Sequence, residues 1–506
     1  MDTFFERVSA ALLADGAEAW VVGGAARDRL AGREGRKDID ILVRGPVVDI
    51  GRRISARVGA SFVVMDEERG HVRLAPRGHD SGQPVWIDMT GLGGALAEDL
   101  ARRDFTVNAM AVPLQRWADR DIRSSIVDPF NGAGDLEAGV LRETRPGNTL
   151  EDPVRMLRAP RLASSLRLSI EDETARTIAA NSSRVQEVAG ERVRDELFAL
   201  LGGPFAMTGA RELDRLGLLD KVLPELVSGR GVEQPKEHYY DVMEHQLHAL
   251  DEAERILDPE ARCSRGPYGL VPWPEGTDEY FMETVADGQN RATLLKFAAL
   301  MHDVGKPATK SFEAPTPEHP SGRMRFFGHD DLGADMVSGR MAELRCSRRS
   351  IHHVALMVRE HLRPSQLSDR REFPTDRAIY RYFRDVSPVA VDTVYLNMAD
   401  YLAARGPMLD AQDWERYART AGDILARGPQ ALESRDPAQN PRKSGLLLNG
   451  HEVQAQFDMP PGPEIGRVLE ALREAEAEGT VTTKSEAREL IARLLGRACR
   501  VAGDSD

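Results

Sequence analysis

Two aspartates separated by one residue are the first candidates for chemistry in this sequence. Asp38 and Asp40 alternate with Ile39 and Ile41 in the stretch DIDILV, a pattern that predicts a β-strand. Side chains two positions apart on a strand share one face and lie about 7 Å apart. Paired carboxylates at this spacing suit Mg²⁺, which binds to a few carboxylates together with substrate phosphates. Two surface acids on a solvated edge strand are the alternative interpretation.

A glycine turn precedes this strand. The stretch WVVGG followed by AARDRL predicts a strand, a turn at Gly23 and Gly24, and the start of a helix. Backbone N–H groups and the positive dipole at a helix N-terminus attract anions such as phosphate. The turn matches neither the dinucleotide-binding GxGxxG motif nor the GxxxxGK motif of P-loops, so alone it indicates only an anion-binding turn.

A second set of side chains combines histidines and aspartates. A single histidine on a helix is more often a packed core residue than a ligand. Here six such residues lie within 156 positions of the chain, with the stretch HDVGKP near their centre. They are His245, His302, Asp303, His329, His361 and Asp400. Imidazole and carboxylate groups from separate helices can hold one or two divalent transition metals, whose bound water attacks a phosphoester.

The pattern of apolar residues predicts how these groups are positioned. Residues 1 to about 145 contain six short strand candidates, AWVVGG, DIDILV, SFVVMD, HVRLA, PVWIDMT and FTVNAMAV, with helical stretches between them. From about residue 150 the apolar spacing of three and four predicts helices. Stretches rich in Pro and Gly at 262–281 and 433–445 predict an inserted loop and a linker. The last helix is expected to be capped by Thr482, Thr483 or Ser485.

Composition excludes several classes of protein. The formal charge of −14 over 506 residues argues against a protein that coats nucleic acid indiscriminately, although arginines at 155, 158, 161 and 167 form a local basic stripe. The three cysteines lie far apart in the sequence, which supports neither a disulfide framework nor a cysteine zinc site. Without a bilayer-spanning apolar run or a signal peptide, the chain is expected to be cytoplasmic.

Further motifs follow the glycine turn and the paired acids in a fixed order. They are EDLARRDFTVNAMA (98–111), DPFNGAGDLEAGVLR (128–142), EDPVRMLRAPRLA (151–163) and ERVRDELFALL (191–201). The set resembles the bacterial-type (class II) tRNA nucleotidyltransferase and poly(A) polymerase family. The resemblance implies an α+β fold, in which a polymerase β-like nucleotidyltransferase head with a small mixed sheet precedes an all-α body. It also implies template-independent addition of CC or CCA to tRNA 3′ ends from CTP and ATP, with release of pyrophosphate.

The resemblance assigns roles to individual residues of the head. Asp38 and Asp40 match the catalytic acids that bind Mg²⁺, and Asp88 is either a third carboxylate ligand or a structural aspartate. The matching nucleotide-binding residues are Gly23, Gly24, Arg27, Arg102, Arg103, Asp152, Arg155, Arg158 and Arg161. Which of Arg102 and Arg103 contacts the nucleotide stays open.

In this family the aspartate and arginine of EDxxR serve as a protein template. Asp152 can accept from an exocyclic amino group, and Arg155 can donate to a ring nitrogen or a carbonyl. Together they would recognise the Watson–Crick edges of C and A and reject U and G.

The second constellation resembles the HD phosphohydrolase superfamily, a domain that many tRNA nucleotidyltransferases carry. The resemblance makes His245, His302, Asp303 and Asp400 the core ligands of a divalent transition metal. His329 and His361 would complete a second metal position, and Lys306 would lie near the substrate phosphate. The metal, the substrate and whether the site is active stay open.

The expected domains are the catalytic head at 1–145, a helical neck with the EDxxR helix at 146–228, an HD domain at 229–432 and a helical tail at 433–506. The HD domain would contain an inserted loop at 262–290, and the tail would contact tRNA.

Three further alternatives remain. The first concerns the nucleotides added. Only GLGGALA joins WIDMT to EDLARRDF, and this short connection resembles the CC-adding branch more than the CCA-adding branch. A CC-adding enzyme leaves the terminal A to a separate A-adding enzyme. A poly(A) polymerase is less consistent with the acidic chain. An HD phosphohydrolase with a degenerate head is less consistent with the complete set of acids and arginines.

Overall fold

The computed structural model describes residues 3–33, 38–77, 86–235, 237–315, 322–367, 373–433, 446–477 and 480–496. The chain forms two compact units, Met1–Val222 and Leu223–Asp506, and the finer division into head, neck, HD domain and tail stays a prediction. The predicted α+β class is confirmed, with a small mixed sheet in the first unit and a helical second unit. Residues 434–445, most of the predicted linker, lie outside the described ranges.

A six-stranded sheet forms the centre of the first unit. Its strands are β1 (Ala19–Val22), β2 (Asp38–Arg44), β3 (Ser61–Asp66), β4 (His71–Ala75), β5 (Trp86–Leu92) and β6 (Ala111–Pro113). They lie in the order β3-β4-β5-β2-β1-β6. The pair β2–β5 is parallel and the other neighbours are antiparallel. Each of the six predicted strand stretches therefore contributes a strand.

Strand β2 changes from polar to apolar along its length, and this change places the acids. Ile41, Leu42 and Val43 are buried, whereas Asp38 is exposed and Asp40 is partly exposed. Ile41 and Val43 belong to the hydrophobic core on one face of the sheet, and Leu42 belongs to the core on the other. The strand is thus anchored from both faces by its apolar half, while its first residues reach the edge of the core.

The helices of the first unit flank the sheet and continue beyond it. They are α1 (Phe4–Ala14), α2 (Gly24–Leu30), α3 (Val47–Val58), α4 (Leu96–Ala101), α5 (Gly132–Ala138), α6 (Asn148–Glu151), α7 (Val154–Leu166), α8 (Asp172–Ala180), α9 (Gly190–Gly202), α10 (Ala206–Arg215) and α11 (Leu219–Val222). A short parallel pair, β7 (Val140–Leu141) and β8 (Ser169–Ile170), lies beside α7. Helix α7 packs against α9 and α10.

The second unit is built mainly of helices. They are α12 (Pro224–Val227), α13 (Val242–Leu257), α14 (Pro259–Arg262), α15 (Thr277–Met282), α16 (Arg291–Met301), α17 (Lys306–Thr309), α18 (His329–Glu343), α19 (Arg348–Glu360), α20 (Arg363–Gln366), α21 (Asp376–Val386), α22 (Ala390–Arg405), α23 (Ala411–Glu433), α24 (Gly450–Phe457), α25 (Pro463–Ala477) and α26 (Lys484–Leu494). Two hairpins accompany them, β9 (Thr284–Ala286) with β10 (Gln289–Asn290), and β11 (Lys310–Glu313) with β12 (Arg323–Phe326). Helices α13, α16, α19 and α22 pack against one another.

Two local predictions can be compared directly with the structure. The segment 262–281, predicted as a loop, contains α15 and a 3-10 turn. The Trp273 ring stacks on Phe281, and both rings pack against Tyr395 of α22, so aromatic packing orders a stretch that Pro and Gly had indicated to be irregular. The predicted cap of α26 is confirmed as Thr483, which forms a capping box with Glu486.

No helix within the described ranges has both the length and the apolar character needed to cross a membrane. Cys263 and Cys346 are free thiols, and Cys499 lies outside the described residues.

Candidate functional sites

A cavity of about 550 Å³ in the first unit brings most of the predicted nucleotide site together. It is lined by Gly23, Gly24, Arg27, Asp38, Asp40, Asp99, Arg102, Arg103, Asp104, Asn108, Arg155, Arg158, Arg161, Leu162 and Glu196. Six arginines therefore face five carboxylates around one space. Such a cavity can bind a polyanion through the arginines and a cation through the acids.

The glycine turn and the paired acids lie at the same end of neighbouring strands. Asp40 is opposite Val22 of β1, directly before Gly23. A Cβ atom added to Gly23 would lie 2.9 Å from Arg103 Nη1 and 3.5 Å from Asp40 Oδ2, and Gly23 has a φ of +67°. The turn thus leaves room for the Arg103 guanidinium close to Asp40, which is an arrangement that only glycine allows without strain.

Gly23→Ala is expected to damage this arrangement. The added methyl group would displace Arg103, and the positive φ would strain the backbone by about 1–3 kcal/mol. We expect the catalytic rate to fall by about tenfold or more while the fold is retained. Steady-state kinetics together with thermal unfolding would check this, and Gly32→Ala, at an equally positive φ but with open space around the added Cβ, is the matched control. Equal losses in both variants would show that strain alone is responsible.

Arg27 is held in place from both sides. Its side chain is buried, its Nη1 donates to Asn108 Oδ1 at 2.5 Å and its Nε donates to Asp28 Oδ1 at 2.8 Å. Asn108 in turn donates to Asp104 Oδ1 at 3.1 Å. The chain of contacts fixes the guanidinium beside the glycine turn, so Arg27 is positioned before any ligand binds.

Asp88 is engaged elsewhere. It lies opposite Asp40 in the parallel pair β2–β5, but its two oxygens accept from Arg73 Nε and Nη2, each at 2.7 Å. The hydrogen bonds to Asp88, with smaller contributions from Asp38 and Asp40, raise the pKa of Arg73. This bidentate pair favours the structural interpretation of Asp88, which is not among the cavity-lining residues of the described chain.

A network of charges holds the helix that carries the arginine stripe. Arg158 donates to Asp104 Oδ2 at 2.8 Å and to Glu196 Oε1 at 3.0 Å, and Arg161 donates to Glu196 Oε2 at 2.6 Å. Burial alone would raise the pKa of Asp104, but the neighbouring Arg158 charge lowers it below its ordinary value. The same acids raise the pKa of Arg158 despite its burial. The network links α7 to α9 and to the turn at RRDF (102–105).

The two residues of the predicted template, Asp152 and Arg155, lie in different surroundings. Arg155 lines the cavity, and its guanidinium donates to Asn148 Oδ1 at 2.9 Å and to the Arg102 carbonyl at 2.8 Å. Asp152 is not among the cavity-lining residues of the described chain and instead accepts two hydrogen bonds from Arg192. Burial alone would raise the pKa of Asp152, but the Arg192 pair holds it below its ordinary value.

Several residues of this site had no predicted role. They are Asp99, Asp104, Asn108, Leu162, Arg192 and Glu196. Each lies inside a motif that carried the family resemblance, so the motif signal was present. Their partners could be assigned only from contacts between separate elements.

The second unit gathers all six predicted histidines and aspartates into one buried cluster. His245 Nε2 lies 3.3 Å from Asp303 Oδ2 and 3.0 Å from Asp400 Oδ1, and His302 Nε2 lies 3.2 Å from Asp303 Oδ2. Three groups of side chains could each hold a metal ion, namely His245–His302–Asp303, His302–His361–Asp400 and Asp303–His329–His361. The three groups overlap at His302, Asp303 and His361, and together they allow for more than one ion.

The backbone orients three of these imidazole rings. The Nδ1 atoms of His302, His329 and His361 lie 2.9, 2.7 and 2.6 Å from the carbonyl oxygens three residues earlier. An Nδ1–H that donates to a carbonyl leaves Nε2 unprotonated and available to a metal. His329 Nε2 is buried and makes no hydrogen bond to the described part of the chain, while the oxygens of Asp303 face the neighbouring imidazoles and Lys306. This buried nitrogen and the nitrogen–oxygen donor set fit a divalent transition metal.

The charges of the cluster also favour a cation. Burial alone would raise the pKa values of Asp303 and Asp400, but the neighbouring histidines, together with Lys306 near Asp303, lower both well below the ordinary value. Burial lowers the pKa of His302, yet the two carboxylates outweigh it and raise that pKa to about 10. A metal ion can supply the positive charge in place of the proton.

Lys306 lies at the cluster but is already engaged. Its Nζ is 2.5 Å from Asp303 Oδ2 and donates to Gln234 Oε1 at 2.7 Å. A second cavity, of about 710 Å³, reaches the cluster at Asp400 and is lined by His238, three arginines and several aromatic and apolar residues. Asp400 is 15% exposed, whereas the side chains of His245, His302 and Asp303 are at most 1% exposed. The cavity therefore offers a route from solvent to the cluster.

Comparisons with known proteins identify related domains in both units. Residues 19–142 match the poly A polymerase head domain, residues 167–229 match a probable RNA and SrmB-binding site of polymerase A, and residues 279–405 match the HD domain. The A-adding tRNA nucleotidyltransferase of Deinococcus radiodurans is 36% identical, over 94% of each chain. The CC-adding tRNA nucleotidyltransferase of Thermus thermophilus is 34% identical, over 97% of this chain and 96% of the relative.

The fold is also known from solved structures. The CCA-adding enzyme of Bacillus stearothermophilus, solved in complex with CTP, superposes with a TM-score of 0.58 at 20% identity, over 98% of this chain and 99% of that one. The fold is thus shared over nearly the whole length. With two relatives at least 34% identical along almost the entire chain, this enzyme belongs to the tRNA nucleotidyltransferase family.

Proposed function

We propose that this enzyme adds CC to the 3′ end of tRNA from CTP, with release of pyrophosphate, at the cavity of the first unit. One observation carries the proposal: a single cavity combines the acids Asp38 and Asp40, the glycine turn and six arginines. The acids suit a metal-bound triphosphate and the arginines suit its phosphates. The enzyme would act in the cytoplasm, where its tRNA and CTP substrates occur.

Asp38 and Asp40 would hold Mg²⁺ in this reaction. When bound, Mg²⁺ lowers the pKa of an attacking hydroxyl and neutralises charge on a leaving pyrophosphate. Arg27 and Arg103, beside the glycine turn, would bind the triphosphate, and Arg102, which is exposed at the cavity, would contact the sugar or the RNA. Asp152 and Arg155 would select the base, with Arg158 and Arg161 as further nucleotide contacts. Catalysis in this scheme comes mainly from positioning and charge neutralisation.

The choice of CC addition rests on the connection between β5 and α4. Strand β5 ends at Leu92 and α4 begins at Leu96, so only residues 93–95 join them. A connection this short leaves no flexible segment of its own at this position, consistent with an enzyme that does not switch from C to A. A separate A-adding enzyme would then complete the tRNA with ATP. The relatives include both A-adding and CC-adding enzymes at similar identity, so the assignment needs a direct test.

Three tRNA substrates distinguish the possible activities. The enzyme is incubated with tRNA that ends before CCA, after C, or after CC, each with labelled CTP, labelled ATP or both, and the products are sized. The proposal expects addition of two C to the first substrate, one C to the second and nothing to the third. Addition of a single A to the third substrate alone would instead make it an A-adding enzyme, and completion of CCA or long A tracts would also contradict CC addition.

We also propose that the second unit is a metal-dependent phosphohydrolase. The support is the buried cluster of six ligands together with the cavity that reaches Asp400. His245, His302, Asp303 and Asp400 would hold one divalent transition metal, and His329 and His361 would complete a second position. A bound metal of this kind supplies an activated water for attack on a phosphoester, and Lys306 would contribute positive charge near the phosphate.

A further inference from the structure

The motif ERVRDELFALL supplies Glu196 to the cavity, but its Arg192 has no role in the function proposed so far. It forms α9, in which Arg192 and Glu196 are four residues apart and therefore share one helix face. Both side chains contact the segment that carries the EDxxR motif. Glu196 accepts from Arg158 and Arg161, whereas Arg192 donates to Asp152, the residue before Pro153 and α7.

The contact between Arg192 and Asp152 is bidentate. Arg192 Nη1 donates to Asp152 Oδ1 at 3.0 Å and Nη2 donates to Oδ2 at 2.6 Å. Parallel donation of this kind fixes the plane of the carboxylate as well as its position. Both side chains are partly exposed, at 51% and 33%, and exposed ion pairs contribute little to the stability of a fold. The main effect of this pair is therefore to orient the carboxylate of Asp152, and its contribution to the stability of the fold is small.

An ionised carboxylate offers about four lone-pair sites and donates no hydrogen bond. Arg192 occupies two of those sites and the Val154 backbone N–H donates to a third, which leaves one site of the Asp152 carboxylate for a further donor. A base with an exocyclic amino group, such as cytosine, can donate to it. Uracil presents a carbonyl oxygen at the corresponding position, and two acceptors facing each other are repulsive. A protonated carboxyl group would lose this distinction, because its O–H could donate to uracil. A rotated carboxylate would lose it because its oxygens would no longer face the amino group.

We propose that Arg192 is a positioning residue for base selection, which holds Asp152 as an ionised, correctly oriented acceptor for the amino group of the incoming nucleotide. The inference rests on the proposed function, in which Asp152 and Arg155 select the base; this pair is called the base reader below. It assigns to Arg192 a contribution to specificity that acts through Asp152 and not through contact with the reacting phosphate. The motif around α9 then serves the reader in two ways, since Glu196 holds the arginines of α7 and Arg192 holds the aspartate.

The test compares four variants of the full chain, R192A, R192K, D152A and R215A. For each, kcat and KM are measured separately for CTP and UTP on tRNA that lacks CCA. Loss of one charge-assisted hydrogen-bonded pair corresponds to about tenfold to hundredfold in selectivity. We expect R192A to raise the KM for CTP and to reduce the preference for CTP over UTP by about tenfold or more, with kcat for CTP changed less than threefold. R192K should recover part of the preference, because lysine restores the charge without the bidentate geometry.

Arg215→Ala is the matched control. Arg215 is 49% exposed and pairs with Glu212 on α10 through Nε and Nη2, so its removal costs a similar ion pair within the same unit. We expect its kinetics and its melting temperature to match those of the unmodified enzyme. A fall in kcat or in melting temperature for R192A, with the CTP preference intact, would overturn the positioning role and leave Arg192 a structural residue.

The D152A variant separates this inference from the function on which it rests. If D152A loses the CTP preference and R192A keeps it, the base reader stands and the role of Arg192 is refuted. If D152A itself keeps the preference, Asp152 is not the reader and both proposals fail. Similar losses in D152A and R192A, with partial recovery in R192K, would support the inference.

Discussion

Asp40→Asn is expected to reduce nucleotide addition by about a thousandfold, and Asp38→Asn to have a comparable effect. Each change removes one negative charge from the proposed Mg²⁺ site and keeps the shape of the side chain. Loss of metal-assisted charge neutralisation costs several kcal/mol of transition-state stabilisation, and every 1.36 kcal/mol corresponds to tenfold in rate. The measurement is single-turnover extension of tRNA with labelled CTP. Hydrolysis by the second unit should be unchanged.

Asp88→Asn is the matched comparison for these variants. It makes the same chemical change on the neighbouring strand, at the position opposite Asp40, but it affects the bidentate pair with Arg73. We expect less than a tenfold loss of extension and a modest loss of stability. Inactivation of D88N to the level of D40N, with the fold intact, would make Asp88 a third metal ligand. Full activity of D40N would leave the proposed transfer without its metal site.

The sequence was sufficient to predict the elements that carry the paired acids. Alternation in DIDILV places Asp38 and Asp40 on a strand, and the six apolar stretches of the head all contribute strands to one sheet. This succeeds because strand periodicity is a local property of the chain. The segment 262–281 shows the limit of local reasoning, since its order comes from packing of Trp273 and Phe281 against Tyr395, more than a hundred residues further along the chain.

Contacts between separate elements explain what the sequence did not reveal in the head. Arg73 and Asp88 face each other only because β4 and β5 pair in one particular register. Arg192 and Asp152 are 40 residues apart and meet where α9 packs beside α7. In both cases the sequence shows that the residues are charged. It does not show which residue of opposite charge lies beside each of them, because that depends on the tertiary fold. The assignment of partners therefore required the structure.

The histidine–aspartate cluster shows the opposite relation between sequence and structure. Its six members could be named from the order of the residues together with the resemblance to the HD superfamily, because potential metal ligands come from a small set of side chains. Their orientation was not predicted. His302 and His361 directly follow the last residues of α16 and α19, so the carbonyl oxygen three residues earlier is available to each Nδ1. Helix ends thereby turn two Nε2 atoms toward Asp303 and Asp400.

His302→Gln is expected to abolish metal binding by the second unit while leaving tRNA extension intact. His302 belongs to two of the three ligand groups, and its removal should lower metal affinity by more than a hundredfold, since loss of even an outer-shell partner costs about tenfold to hundredfold. Metal content is measured by mass spectrometry after dialysis, and hydrolysis with a chromogenic phosphodiester. His352→Ala, at an exposed position of α19 outside the cluster, should keep both properties. A metal-replete H302Q would show that the ion binds elsewhere, and loss of extension together with hydrolysis would contradict two independent sites.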